Sequence, residues 1–276
     1  MNNLKQLHNF GQSPWMDYIR RDLFKSGELK KLIQDDGISG VTSNPSIFEK
    51  AIAHSDEYQD AIIEFSGKND IDAKAIFESL EVSDIQNAAD ALKDIYESTS
   101  HRDGYVSMEV SPRLSHDTLG TLDEARRLWK MVNRPNLLVK VPATPEGIPA
   151  IQELISEGIN VNVTLLFSQK AYKEVANAFI KGLEIRAEKG EDIANIASVA
   201  SLFVSRIDAL VDKLIDEHSD KSLQAIKGKV AIANSRLTYQ AYKEIFNTDE
   251  WKILASKGAM TQRLLWASTS TKNPDY

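Results

Sequence analysis

Lys140 stands in the segment NLLVKVPAT, residues 136–144, where four of the first six residues are branched aliphatics and no other residue of the segment is charged. Such a run suits a strand buried on both faces, where an ammonium is costly. Burial disfavours the charged form of an amine, and a neutral amine can condense with a carbonyl to give a Schiff base. The iminium then serves as an electron sink for making or breaking a C–C bond. On the residues alone two plainer readings stay open: an ion pair with a buried carboxylate, or a stem that runs to the strand rim and keeps its ammonium in water. Schiff-base chemistry also needs proton donors and acceptors beside the amine. Neighbouring apolar runs supply them, Glu109 in GYVSMEV (104–110) and Asn162 with Thr164 in INVNVTLLF (159–167). Any one of these reads as a satisfied core polar group; three on flanking strands point to chemistry.

The elements that must position these residues are legible as alternating short apolar runs and longer amphipathic stretches, the pattern of repeated βα units around a parallel sheet. Strands are predicted over 37–43, 104–110, 136–143, 159–167, 195–204 and 262–270, with a short first strand near 13–18. Helix starts follow them. Thr144-Pro145-Glu146 supplies an N-cap, a proline at the first helical position and an acid in the first turn before IPAIQELISEG. Asn44-Pro45 opens SIFEKAI in the same way, Thr121 to Glu124 has capping-box spacing, and Ser168 is placed to cap the stretch that begins QKAYKEV. An open doubly wound sheet and a (β/α) barrel both fit this order. Period-two alternation sends Tyr105, Ser107 and Glu109 to one face of their strand, and Asn160, Asn162 and Thr164 to one face of theirs. A polar strand face favours the barrel, whose active sites lie at the C-terminal strand ends, where Glu109, Lys140 and Thr164 fall. Neither GxGxxG nor GxxxxGK[ST] occurs to support a nucleotide fold.

Composition narrows the function classes. A net charge of −7 without a long basic block argues against nucleic-acid binding, though one local cationic pocket would still accept an anionic small substrate. Zero cysteine removes disulfides, thiolate nucleophiles and Cys-ligated metals, and fits a reducing compartment, so a cytoplasmic location is expected. The N-terminal MNNLKQLHNF lacks the apolar core of a secretory signal, and no apolar run approaches the roughly 20 residues needed to span a bilayer.

The segments SPWMDYI, GVTSNPSIF, YVSMEVSPRL, LLVKVPATPEGI, GINVNVTLLFS, SLFVSRID and LLWASTSTKNP, in this order, resemble transaldolase, in particular the bacterial subfamily with the TSNPSIFEKAI signature. The resemblance runs the length of the chain. It implies a (β/α)8 TIM-barrel enzyme of the non-oxidative pentose phosphate pathway that moves a dihydroxyacetone unit from a ketose phosphate to an aldose phosphate without metal or organic cofactor. Carried over by motif, Lys140 is the Schiff-base lysine and Asp17 takes the proton of the substrate hydroxyl as the C–C bond breaks. Glu109 works through a water held by Thr164. Asn44 and Asn162 hydrogen-bond substrate hydroxyls. Ser201 and Arg206 contact hydroxyls and phosphate, and Ser270 with Lys272 bind phosphate.

Plainer roles stand beside these: a helix-start acid for Asp17, an N-cap for Asn44, a surface pair with Asp208 or Asp212 for Arg206. Lys272 stands where many transaldolases carry arginine; a lysine lacks the bidentate fork, and Gln262 and Arg263 are candidates to assist it. The expected partners are sugar phosphates, with neither nucleic acid nor membrane, and a homodimer is the candidate assembly. One domain over 1–276 is expected, ending after the seventh strand and so short of the eighth. The rival functions are an aldolase that releases free dihydroxyacetone, and an inactive barrel fragment that only binds sugar phosphates or a partner.

Overall fold

The computed structural model describes residues 2–53, 55–66 and 72–274. All seven expected strands are present, β1 (Trp15–Met16), β2 (Gly40–Thr42), β3 (Tyr105–Glu109), β4 (Leu137–Pro142), β5 (Val161–Leu166), β6 (Ser198–Phe203) and β7 (Arg263–Ala267), in chain order within one sheet. With helices between successive strands this is the α/β architecture of the (β/α) barrel class. The chain divides into two compact units, Met1–Pro112 with Asp123–Val139, and Arg113–Leu122 with Lys140–Tyr276.

In the first unit β1 pairs parallel with β2, Trp15 opposite Gly40, and β2 with β3, Gly40 opposite Tyr105. A two-residue strand has little ladder to hold it, so side chains do that work. The Trp15 indole donates to Asp103 at 2.9 Å, and its ring lies where a Cβ on residue 40 would stand, which is why that position is glycine. Helix α1 (Pro45–Ala53) follows β2, and Asn44 caps it by accepting the Ile47 N–H at 3.1 Å. Helix α2 (Ala73–Ala91) buries Leu80, Ile85 and Ala88. Between its buried positions sits a closed polar cluster. Asp84 accepts from Tyr58 Oη at 2.7 Å and from Arg21 Nε at 3.0 Å, and the Arg21 guanidinium lies 4.5 Å from the Tyr58 ring centroid.

Helix α3 (Thr118–Val132) begins four residues earlier than a cap at Thr121 predicts. Asp117 is the cap, accepting the Gly120 N–H at 2.9 Å, while Thr121 donates to Leu114 O. Glu124 instead accepts the Ser111 N–H at 2.6 Å and so fastens the chain just beyond β3.

In the second unit α4 (Gly147–Ser156) follows β4. Thr144 does cap it, accepting the Gly147 N–H at 2.9 Å, but Pro145 and Glu146 form a turn and the helix starts at Gly147. A Cβ there would run into the Pro142 carbonyl, so glycine allows the helix to start tight against the end of β4. Helix α5 (Gln169–Glu188) follows β5 and is capped by Ser168 as expected, through the Ala171 N–H at 3.2 Å. After β6 come α6 (Ser205–Glu217), α7 (Val230–Ile245) and α8 (Asp249–Ser256), then β7. β5 pairs parallel with β6 and β6 with β7. All six residues of β4 are buried, which follows from aliphatic side chains on both strand faces. Among the described residues no helix is long and apolar enough to cross a membrane.

Candidate functional site

Strand ends place the candidate residues of the first unit. Asp17 follows β1 directly and is exposed, and its Oδ1 accepts a 2.7 Å hydrogen bond from Thr42 Oγ1 at the end of β2. The pairing of Met16 with Val41 continues by one residue to bring these two side chains together. Thr42 was not singled out from the sequence. Its signal is present in TSNPS, two positions before Asn44, but only strand register assigns its partner. Asn44 stands at the β2–α1 junction, its Oδ1 engaged as the helix cap. The amide keeps Nδ2 as a donor, so capping and hydroxyl binding are compatible at one side chain. Glu109 ends β3, half-buried, two residues before the Ser111 amide that Glu124 holds.

The second unit holds Lys140, Asn162, Thr164 and Ser201. Lys140 is 8% exposed in a strand whose other residues are apolar. Ala143 N–H donates to Thr164 O at 2.9 Å, which binds the exit of β4 to β5 at the residue expected to hold a water. Asn162 is fully buried and accepts from Ser201 Oγ at 2.7 Å, so the Oδ1 end of its amide faces Ser201. Amide and hydroxyl thus form one unit across β5 and β6.

The anion-binding candidates lie farther out. Arg206, in the first turn of α6, is exposed, and its guanidinium stacks 4.8 Å from the Phe203 ring centroid. It does not pair with Asp208 or Asp212, the plainer reading of the sequence; Asp208 accepts the Ala231 N–H and Asp212 the Gly228 N–H. Ser270 and Lys272 are exposed beyond the end of β7 and bond to each other, Lys272 Nζ to Ser270 Oγ at 2.9 Å. Gln262 and Arg263 are not placed to assist them. Gln262 is wholly buried, donating to Ser198 Oγ, and both residues sit at the start of β7 while Lys272 lies past its end. A cavity of about 660 Å³ between α6 and residues 269–273 contains Lys272 alone of the candidates, and its lining mixes the carboxylates of Asp208, Asp212, Asp216 and Glu217 with Lys213 and Lys227.

Among the described residues no group of three or more His, Asp or Glu is arranged to hold a metal ion. The first unit offers carboxylates at strand ends, and the second a buried primary amine, an amide bonded to a hydroxyl, and cations on exposed turns. These are the parts that imine formation on a polyhydroxylated anion requires.

The family described as Transaldolase/Fructose-6-phosphate aldolase matches residues 14–276. The chain is 54% identical, over 283 aligned residues, to "Transaldolase" of Trichodesmium erythraeum, with all of this chain and 74% of that protein covered. It is 51% identical to "Transaldolase 2" of Nostoc sp., again with all of this chain and 74% of that protein covered. To "Transaldolase" of Thiobacillus denitrificans it is 49% identical, covering all of this chain and 77% of that protein.

Proposed function

Since the chain belongs to the transaldolase/fructose-6-phosphate aldolase family, we propose that it is a transaldolase whose chemistry runs through a Schiff base on Lys140. The reaction transfers a dihydroxyacetone unit from sedoheptulose 7-phosphate or fructose 6-phosphate to an aldose phosphate, a step of the non-oxidative pentose phosphate pathway. Lys140 Nζ attacks the ketose carbonyl to give a carbinolamine. Glu109 supplies and removes protons through a water held by Thr164, and loss of water leaves the iminium. Asp17 takes the proton of the neighbouring hydroxyl, the C–C bond breaks, the electron pair passes into the iminium and the first aldose phosphate leaves. The enamine on Lys140 then adds to the second aldose, and hydrolysis frees the amine. Asn44, Asn162 and Ser201 bind hydroxyls, and Arg206, Ser270 and Lys272 bind phosphate.

The observation that carries this reading is a lysine 8% exposed in an otherwise apolar strand. A primary amine held within a strand of apolar residues is the type of nucleophile that condenses with a ketose carbonyl. The Thr42 bond to Asp17 supports its role, since it orients one carboxylate oxygen and leaves the second for a proton. The proposal extends to one barrel domain over residues 1–276 of each chain, a cytoplasmic location and a homodimer; the absence of cysteine supports the compartment, and light scattering tests the assembly.

Borohydride added with fructose 6-phosphate is expected to trap a covalent adduct on Lys140. An adduct that survives Lys140→Met overturns the assignment. Net transfer to erythrose 4-phosphate, against release of free dihydroxyacetone, separates the transferase from the aldolase.

A further inference from the structure

One irregularity sits beside the candidate site. β5 and β6 pair Val161 with Ser198, Asn162 with Val199 and Val163 with Ala200, then resume at Leu166 with Leu202. β5 thus takes three steps where β6 takes two, which is a β-bulge with one extra residue. Leu165 absorbs it at φ 62°, in the left-handed region that a leucine enters at a cost. The bulge resets the alternation of the strand. Leu166 stays wholly buried, while Leu165 and Phe167 come out at 44% and 41% exposure.

Burial does not account for so exposed a phenylalanine. The Phe167 ring stacks on Phe203, with centroids 5.2 Å apart and planes inclined by 29°, and Phe203 is the ring over which the Arg206 guanidinium lies. Asn234 Nδ2 donates to the Phe167 carbonyl at 3.2 Å and steadies its backbone. The result is a column of ring, ring and guanidinium joining the exit of β5 to the first turn of α6. An arginine on an exposed helix turn has several freely rotating bonds, and ordering it on an anion costs entropy. A ring face attracts the cation and holds it beforehand.

We propose that Phe167, set outward by the bulge at Leu165, is a positioning residue for Arg206: it fixes the Phe203 ring and thereby presents the guanidinium to the phosphate of the substrate. The proposal rests on the assignment of Arg206 to phosphate given above. Phe167 touches no reacting atom in this account. Its removal acts on affinity for the anionic end more than on turnover.

The test compares Phe167→Ala, Phe167→Leu and Phe167→Tyr with the unmodified chain. Phe167→Leu keeps apolar bulk without the ring, so the question survives if the alanine variant folds poorly. Inhibition by inorganic phosphate and the KM for fructose 6-phosphate should weaken by about threefold to fivefold in the alanine and leucine variants, the scale of a solvent-exposed cation–π contact. KM should rise more than kcat falls, and Phe167→Tyr should restore both. On an Arg206→Ala background Phe167→Ala should add little. Unchanged phosphate inhibition in the leucine variant, or a full effect on the Arg206→Ala background, overturns the proposal. Borohydride trapping of unphosphorylated dihydroxyacetone on Lys140 reports the Schiff-base reading separately, because that ligand carries no phosphate for Arg206 to hold.

Discussion

The two units each bury a polar cluster, and the clusters differ in the groups that build them: a carboxylate, a phenol and a guanidinium in the first, an amide and a hydroxyl in the second. In the first unit Asp84 is wholly buried and gives one oxygen to Tyr58 and the other to Arg21, while Tyr58 Oη also receives the Arg21 backbone N–H. That cluster closes on itself. Burial raises the Asp84 carboxyl above its ordinary range in spite of the pull of Tyr58 and Arg21, and burial followed by Asp84 raises the Tyr58 phenol. In the second unit the Asn162 carbonyl oxygen accepts from Ser201 Oγ across β5 and β6, with Thr164 farther along β5 and Lys140 in β4. Burial of polar groups therefore does not by itself mark function. The first cluster ties helix α2 to the segment after β1 and is scaffold; the second is a set of oriented groups in the strands from which the chemistry is proposed to run.

The largest effects are expected at Lys140 and Asp84. Lys140→Met should lower transfer by about four orders of magnitude or more, the scale on which a covalent nucleophile is lost, while leaving the thermal midpoint within a few degrees. A large fall in midpoint would make Lys140 scaffold instead. Asp84→Ala should do the reverse. Leaving the Arg21 charge without its carboxylate is expected to cost about 3–5 kcal/mol, read by urea unfolding, with kcat of the folded fraction near that of the unmodified protein.

Two smaller effects refine the comparison. Thr42→Val removes a hydroxyl that bonds a carboxylate and should reduce kcat roughly tenfold through Asp17, measured by steady-state transfer assays. The smallest effect concerns α2. Burial first, and then the carboxylates of Glu78, Glu124 and Asp84, push Glu81 up from the ordinary 4.5 to about 8. Its folded-state value lies above the unfolded one, so the native protein holds the extra proton between these pH values. Its contribution to stability then declines as pH rises from about 4.5 to about 8, and levels off above. Glu81→Gln should flatten that decline and raise stability at pH 8 by about 1–2 kcal/mol, measured by denaturant titrations across the range.

Strand positions were legible because the aliphatic runs are short, bounded and separated by helix-period stretches. The same signal placed Lys140, Glu109 and Thr164 in strands. Local chemistry was sufficient for the Asn44 and Ser168 caps, since each bonds an amide three residues on. It misled at Thr121, where the sequence spacing is right but Asp117 lies one turn earlier and takes the cap. Arg206 shows the other limit. Carboxylates two and six residues along stand near Arg206 in the sequence, yet those of Asp208 and Asp212 go to backbone N–H groups near the start of α7, and an aromatic ring takes the guanidinium.

By itself the sequence determined the order of βα units, the lysine in its apolar strand and the family motifs, because each is a matter of residue type and near-neighbour spacing. Only the tertiary structure decided which hydroxyl holds Asp17, which end of the Asn162 amide faces Ser201, that Gln262 is buried at the start of β7, and that a bulge turns Phe167 outward under Phe203. All four depend on strand register and on contacts between residues far apart in the chain, and a single extra residue in β5 is enough to exchange its inward and outward faces.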